Sequence, residues 1–208
     1  MKRAAFGIRM HSGWGILVAV TDELEIIDRR RITVTKNKGP RGNQPFHHAK
    51  ELGLPEAETY LSQYRVESER MACEAIRATA NELNARGYKI MAAGVLSASG
   101  RPLPELPQIL ASHPLIHTAE GELFRDVMAR ACELVRIPVA RYRELALEEI
   151  AKSELGASAQ SALQKLAIGG KKLGPPWTAD HKAASVAAYV ALQEITTKRR
   201  ATVSAQGA

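Results

Sequence analysis

The order of segments along the chain predicts an α/β fold: a mixed five-stranded sheet, three strands antiparallel and then two parallel, flanked by helices. Three observations predict it. The first 35 residues hold three β-prone runs separated by short turns. Residues 55–86 then carry a long apolar repeat at helical spacing. Beyond them two short apolar runs, 89–100 and 137–143, alternate with helical segments, as parallel strands joined by crossovers do.

Each element has its own signal. In AAFGIRMHSGWGILVAV, residues 4–20, a strand over 4–10, a turn at His11-Ser12-Gly13 and a strand over 14–20 form a hairpin. Thr21-Asp22-Glu23 turns the chain again. LEIIDRRRITVT, 24–35, alternates around Ile26, Asp28, Arg30, Ile32 and Val34, which predicts a third antiparallel strand with one wet face. KNKGPRGNQPFHH, 36–48, reads as a loop. Pro55 opens a helix to about Arg86, with Leu61, Tyr64, Met71, Ile76 and Leu83 close to helical spacing and Gly87 as its stop. KIMAAGVLSASG, 89–100, suits a buried strand, and RPLPELP, 101–107, a rigid connection. Pro114 limits any helix before it, so Thr118 is expected to cap a helix over 119–135. IPVARYR, 137–143, is the fifth strand. Residues 145–172 are Ala-rich and helical, with breaks expected near Gly156 and at Gly169-Gly170. GPPW, 174–177, interrupts the chain, and Thr178 or Asp180 caps a last helix to about Lys198. The expected organisation is one domain over 1–200 and a flexible tail over 201–208.

Composition narrows the function classes. No run of about 18 apolar residues occurs, so no membrane span is expected. Arg9 and His11 interrupt the N-terminal apolar stretch too early for a signal-peptide core. Cys73 and Cys132, with no short spacing between them, give neither a disulfide framework nor a zinc knuckle; they read as small core residues in a reducing cytoplasm. The net charge of +7 is uneven. Residues 1–50 hold ten Lys/Arg against four Asp/Glu, residues 51–150 eleven against fifteen, and residues 151–208 eight against three. If the two ends lie side by side, one face is basic and favours a nucleic acid or nucleotide. Aromatic residues make up only 5%, which argues against a platform for stacking single strands.

Two stretches resemble a known family. GIRMHSGWGILVAV, 7–20, resembles the opening hairpin of RuvC-type Holliday-junction resolvases and their YqgF-type relatives, in the ribonuclease-H-like superfamily. PPWTADHKAASVAAYVALQ, 175–193, looks like their last helix, which opens on an Asp and continues through small residues; SELGASAQSALQKL, 153–166, is similar to the helical region before it. The order of elements is the ribonuclease-H-like plan. The resemblance implies a cluster of acids holding two divalent ions at a phosphodiester. Carried over by position, the first-strand acid falls on Arg9, the fourth-strand acid near Leu96 or Ser97, the first acid of the last helix on Asp180 and the next on Ala183. One carboxylate cannot hold two Mg²⁺ ions. The implied protein is a divergent domain that binds nucleic acid or nucleotide without standard two-metal cleavage, a pseudonuclease.

The same plan brings the first turn, the end of the fourth strand and the start of the last helix together. The histidines, His11, His47, His48, His113, His117 and His181, all fall in expected turns or element ends. A site of His117, Glu120 and Asp180 is therefore expected, with Arg9 and Lys182 as anion binders. Imidazole can act as acid or base or hold a metal, and a helix starting at Thr118 would offer free backbone N–H groups. These residues admit a single divalent metal and name none. IGGKKLG, 168–174, lacks the Walker spacing but supplies Lys171 and Lys172 to a basic turn that could touch phosphates. SASGRP, 97–102, offers Ser97 or Ser99 as a nucleophile with His117 as base, without a Gly-x-Ser-x-Gly elbow. Two other functions remain open: a hydrolase built on the His/Glu/Asp site, and an assembly module pairing with a protein partner or a second copy through an exposed sheet edge.

Overall fold

A computed structural model describes residues 1–36, 40–98 and 102–206, with the side chains of residues 40, 41 and 198–206 left out. Strands β1 (Lys2–His11), β2 (Trp14–Thr21) and β3 (Ile26–Thr33) are joined by tight turns, Gly13 taking φ +79° between the first two. Next come α1 (Pro45–Ala49), α2 (Leu54–Ala85), β4 (Tyr88–Ser97), α3 (Leu106–Ala111), α4 (His113–Leu134) and β5 (Val139–Arg143). The chain ends in α5 (Leu147–Leu155), α6 (Ala159–Lys172) and α7 (Ala179–Gln206). The sheet order is β3-β2-β1-β4-β5. β1–β2 and β2–β3 are antiparallel; β1–β4 and β4–β5 are parallel. That is the mixed sheet the sequence predicts, and it is the ribonuclease-H-like plan. Among the described residues no helix is long and apolar enough to cross a membrane.

Strand alternation divides the core in two. Phe6, Ile8 and Met10 of β1 join Leu17, Ala19, Val95, Ile76, Phe124 and Val127 in the larger cluster, under α2 and α4. Burial pushes the Cys132 thiol in this cluster up to about 12, so it is inert. On the opposite face Ala5, Ala92 and Leu96 pack against Ala187, Val190 and Ala191 of α7. Ile16, Val18 and Val20 meet Ala184, Ala188 and Leu166 there. The α7 stripe is made of alanines because its backbone lies directly on the sheet. A Cβ added to Gly7 would sit 1.7 Å from the Ala184 carbonyl oxygen, and one added to Gly94 2.4 Å from that of Ala187.

Several boundaries differ from expectation, each for a local reason. α4 starts at His113 rather than after Thr118, with Pro114 in its first turn, where the missing N–H costs no helical bond. The Thr118 hydroxyl therefore bonds back to the Pro114 carbonyl, 2.9 Å, and caps nothing. α6 runs through Gly169-Gly170 without a break. Gly170 is there for space: the Trp177 ring lies 1.9 Å from where its Cβ would be. The short helices α1 and α3 fall where a loop and a connection were expected. α7 continues beyond Lys198 to Gln206, so the expected start of the tail at residue 201 falls inside a helix; residues 207–208 lie outside those described.

Candidate functional site

The carboxyl-terminal end of β1 is brought to the start of α7 by matched geometry. Gly7, Arg9 and His11 are successive residues on one face of β1, about 6.6 Å per step. One helical turn back from Ala184 stands Asp180, about 6 Å along the axis. Since Gly7 lies against Ala184, Asp180 must lie over Arg9 and His11. It does. Arg9 Nη1 donates to Asp180 Oδ1 at 2.5 Å, and His11 Nε2 is 2.9 Å from Asp180 Oδ2. His11 Nε2 also lies 3.0 Å from Arg9 Nη1, which can only donate, so by its tautomer this nitrogen either accepts from the guanidinium or donates to the carboxylate. The rest of the Arg9 guanidinium is held by Glu144, just after β5: Nε donates to Oε1 at 3.0 Å, and Nη2 lies 2.9 Å from it. His11 stacks on Trp14, ring centroids 4.2 Å apart, and the Arg31 guanidinium lies 3.9 Å over the same indole. A cleft of about 220 Å³ opens here, lined by Arg9, His11, Ser12, Leu96, Arg125 and Glu144.

The expected site is divided between two places. Asp180 and Arg9 meet as above. His117 and Glu120 belong to a second group on the outer side of α4, where Glu120 is 2% exposed. The Glu120 Oε1 accepts from His47 Nδ1, 2.9 Å, and from the His47 backbone N–H, 3.3 Å; its Oε2 is 4.0 Å from His117 Nδ1. His47 Nε2 in turn faces His113 Nε2 at 3.4 Å. Among the described residues Asp180 makes no contact with this group. Arg9 is not a free anion binder, because its donors are taken by two carboxylates. Lys171, Lys172 and Lys182 are exposed and form no ion pair among the described residues. Ser97 closes β4, and no histidine bonds it among the described residues; Ser99 lies outside them. His48 packs on Tyr60, centroids 4.7 Å apart, away from both groups.

Sequence reasoning missed His47, Trp14, Arg31 and Glu144. Only His47 carried a signal, as one of an adjacent His pair after Pro45-Phe46. Phe46 packs beside Ile109, Ile116 and Ala119, and that contact seats His47 on α4.

No family model matches the chain, and no curated protein matches it in sequence. Two solved structures are similar in fold over nearly its whole length. Thermus thermophilus RuvC in complex with a Holliday junction substrate is 13% identical, covering 95% of this chain and 96% of that one, with a TM-score of 0.46. Thermus thermophilus RuvC solved by itself is 14% identical, covering 97% and 98%, with a TM-score of 0.45.

His181 is tied to the start of α7. It is buried, and its Nδ1 accepts from the Thr178 hydroxyl, 2.8 Å, and backbone N–H, 3.3 Å, which fastens the helix start. Burial, with Arg29 adding to it, holds its pKa below the usual imidazole range. The unfolded chain therefore takes up this proton first as pH falls. The cap's contribution, about 1 kcal/mol, is complete above pH ~6.5 and is lost as pH drops through the lower folded value. In urea titrations at several pH values, His181→Asn should flatten that part of the wild-type dependence. An unchanged profile would show that another group carries it.

Proposed function

We propose that this is a ribonuclease-H-like domain that binds a nucleic acid or nucleotide at the Arg9–Asp180 face and does not run two-metal phosphodiester cleavage. The supporting observation is the Arg9 guanidinium bridging Asp180 and Glu144. A pair of hard cations needs several anionic oxygens free to coordinate. Asp180 and Glu144 on this face are both ion-paired to the one Arg9 guanidinium, and Arg125 lines the same cleft. Leu96 and Ser97 stand at the end of β4, where no carboxylate is supplied. The residues present do not fit two divalent ions.

What remains suits phosphate. Arg29 of β3 donates to the carbonyls of Leu173, Gly174, Pro175 and Pro176, tying the α6–α7 loop to the sheet. α6 ends on Lys171 and Lys172 at one side of that loop and α7 carries Lys182 at the other, all without ion-pair partners among the described residues. Arg31 stands two residues along β3 beside Trp14 and His11. Trp14 is covered by both neighbours, so contact would be to backbone phosphates rather than by base stacking.

The test is binding of fluorescent duplex, single-stranded and four-way branched DNA at several salt concentrations. With about four phosphate contacts, affinity should fall roughly 10²-fold between 50 and 200 mM salt. Replacing Lys171, Lys172 and Lys182 together by Ala should reduce the logarithmic salt slope by about three. Salt-independent binding, or Mg²⁺-dependent cleavage by the purified chain, would refute the proposal.

A further inference from the structure

We infer that His47, His113 and His117 form a binding site for one divalent transition-metal ion of the Zn²⁺ class, with its fourth coordination position open to solvent. This site is separate from the Arg9–Asp180 face and does not depend on how that face functions. One ligand nitrogen from each ring lies within 4.8 Å of the other two. The His47 and His113 Nε2 atoms are already 3.4 Å apart. Two nitrogens bound to a tetrahedral zinc at 2.0–2.1 Å are about 3.3 Å apart, so this edge needs no adjustment. The rings are tilted against one another by 79°, 62° and 84° with centroids 5.3, 4.8 and 4.5 Å apart, so none lies flat on another.

The local sequence accounts for the convergence. Pro114 in the first turn lets α4 begin at His113, and His113 and His117, four residues apart, then share a helical face. Phe46, inserted beside Ile116 and Ala119, presents the neighbouring His47 to that face. Glu120, one turn beyond Ile116, is buried behind the imidazoles. Its carboxylate fixes His47 with Nδ1–H inward, leaving the Nε2 lone pair pointing out at His113. His117 also turns Nδ1 toward Glu120. A carboxylate behind a ligating imidazole fixes its tautomer and raises its basicity. A burial of that depth for a carboxylate is costly without such partners.

Nitrogen donors select the metal. Imidazole suits Zn²⁺ and its transition neighbours, whereas Mg²⁺ and Ca²⁺ prefer oxygen. His47 and His117 side chains are 27% and 54% exposed, so the fourth position faces water, the arrangement of reactive rather than purely structural zinc sites. Glu120 bonds a ligand, not the ion, and is a positioning residue.

The experiment titrates untagged, chelator-treated full chain with Co²⁺, whose visible bands report tetrahedral nitrogen coordination, and then displaces it with Zn²⁺. One equivalent should bind, be displaced by Zn²⁺ and be unaffected by excess Mg²⁺. His113→Ala and His117→Ala, both at exposed positions, should each abolish the bands. Glu120→Gln should weaken binding about 10- to 100-fold while circular dichroism stays native. If the three imidazoles only hydrogen-bond to one another, the wild type shows no saturable bands. Either that result or bands that persist in the His113→Ala/His117→Ala double variant overturns the site.

Discussion

Gly7→Ala should be the most damaging single substitution in the chain, lowering the free energy of unfolding by about 3 kcal/mol or more. The reason is that nothing near the new methyl can give way. Its contacts would be the Ala184 carbonyl oxygen at 1.7 Å and carbon at 2.7 Å and the Ala188 backbone nitrogen at 2.7 Å, all main-chain atoms of one long helix. A flexible side chain can rotate aside; a helix backbone can only translate, and α7 is packed on β1, β2 and β4 at once. Moving it away from β1 would open the Ala5–Ala187–Ala191 cluster and pull Asp180 off Arg9 and His11. Loss of the fold and loss of the candidate site should therefore coincide. Gly169→Ala is the matched control. Its Cβ would meet only the Ile26 side chain, at 3.8 Å, and it lies within α6. Helix propensity then favours alanine by up to ~1 kcal/mol. Urea unfolding of the two variants beside the wild type separates steric conflict from a general intolerance of change. Gly7→Ala unfolding at the wild-type midpoint would mean that α7 is not seated on the sheet this closely.

The same close approach explains how much could be read in advance. Strand alternation, the Gly13 turn and the run of small residues in α7 are local patterns, and each produced its element. The antiparallel and parallel strand directions followed from them through chain connectivity. The sites were harder because their contacts are distant in sequence. Arg9 and Asp180 are 171 residues apart and His47 and His113 are 66 apart, so no spacing rule links them. The first pair was reachable only through the resemblance of the hairpin and the last helix to one fold plan. The second was obscured by Pro114. Taken as a helix stop it separates His113 from His117; in the first turn of α4 it unites them. α1 and α3, of five and six residues, are too short to display a period, and α1 is the element that carries His47. Gly170 read as a break because the ring that occupies its missing side chain, Trp177, comes from beyond the helix.

Arg9→Asp should turn a metal-indifferent face into a metal-dependent one. In the wild type one guanidinium is paired with both Asp180 and Glu144, and each of the three side chains is partly shielded from water. Removing it costs the charge-assisted bonds. Adding a third carboxylate beside the other two brings like-charge repulsion as well. Together these should lower stability by about 3 kcal/mol, less than for a fully buried ion pair because solvent reaches the cleft. The same replacement creates what the face lacks, a third carboxylate where the cation bridging the other two had stood, with Arg125 the fixed charge that remains in the cleft. Mg²⁺ that binds only the folded variant will stabilise it by mass action; about 10 mM Mg²⁺ against a millimolar dissociation constant returns ~1.4 kcal/mol. The wild type should show no such shift because its carboxylates are paired to Arg9, and Arg9→Ala, which frees two acids and adds none, should show a smaller one than Arg9→Asp. Thermal unfolding of the three proteins with Mg²⁺ and with chelator decides it. Equal Mg²⁺ stabilisation of the wild type would mean that Arg9 does not block cation binding, and the proposed absence of two-metal chemistry would lose its physical basis.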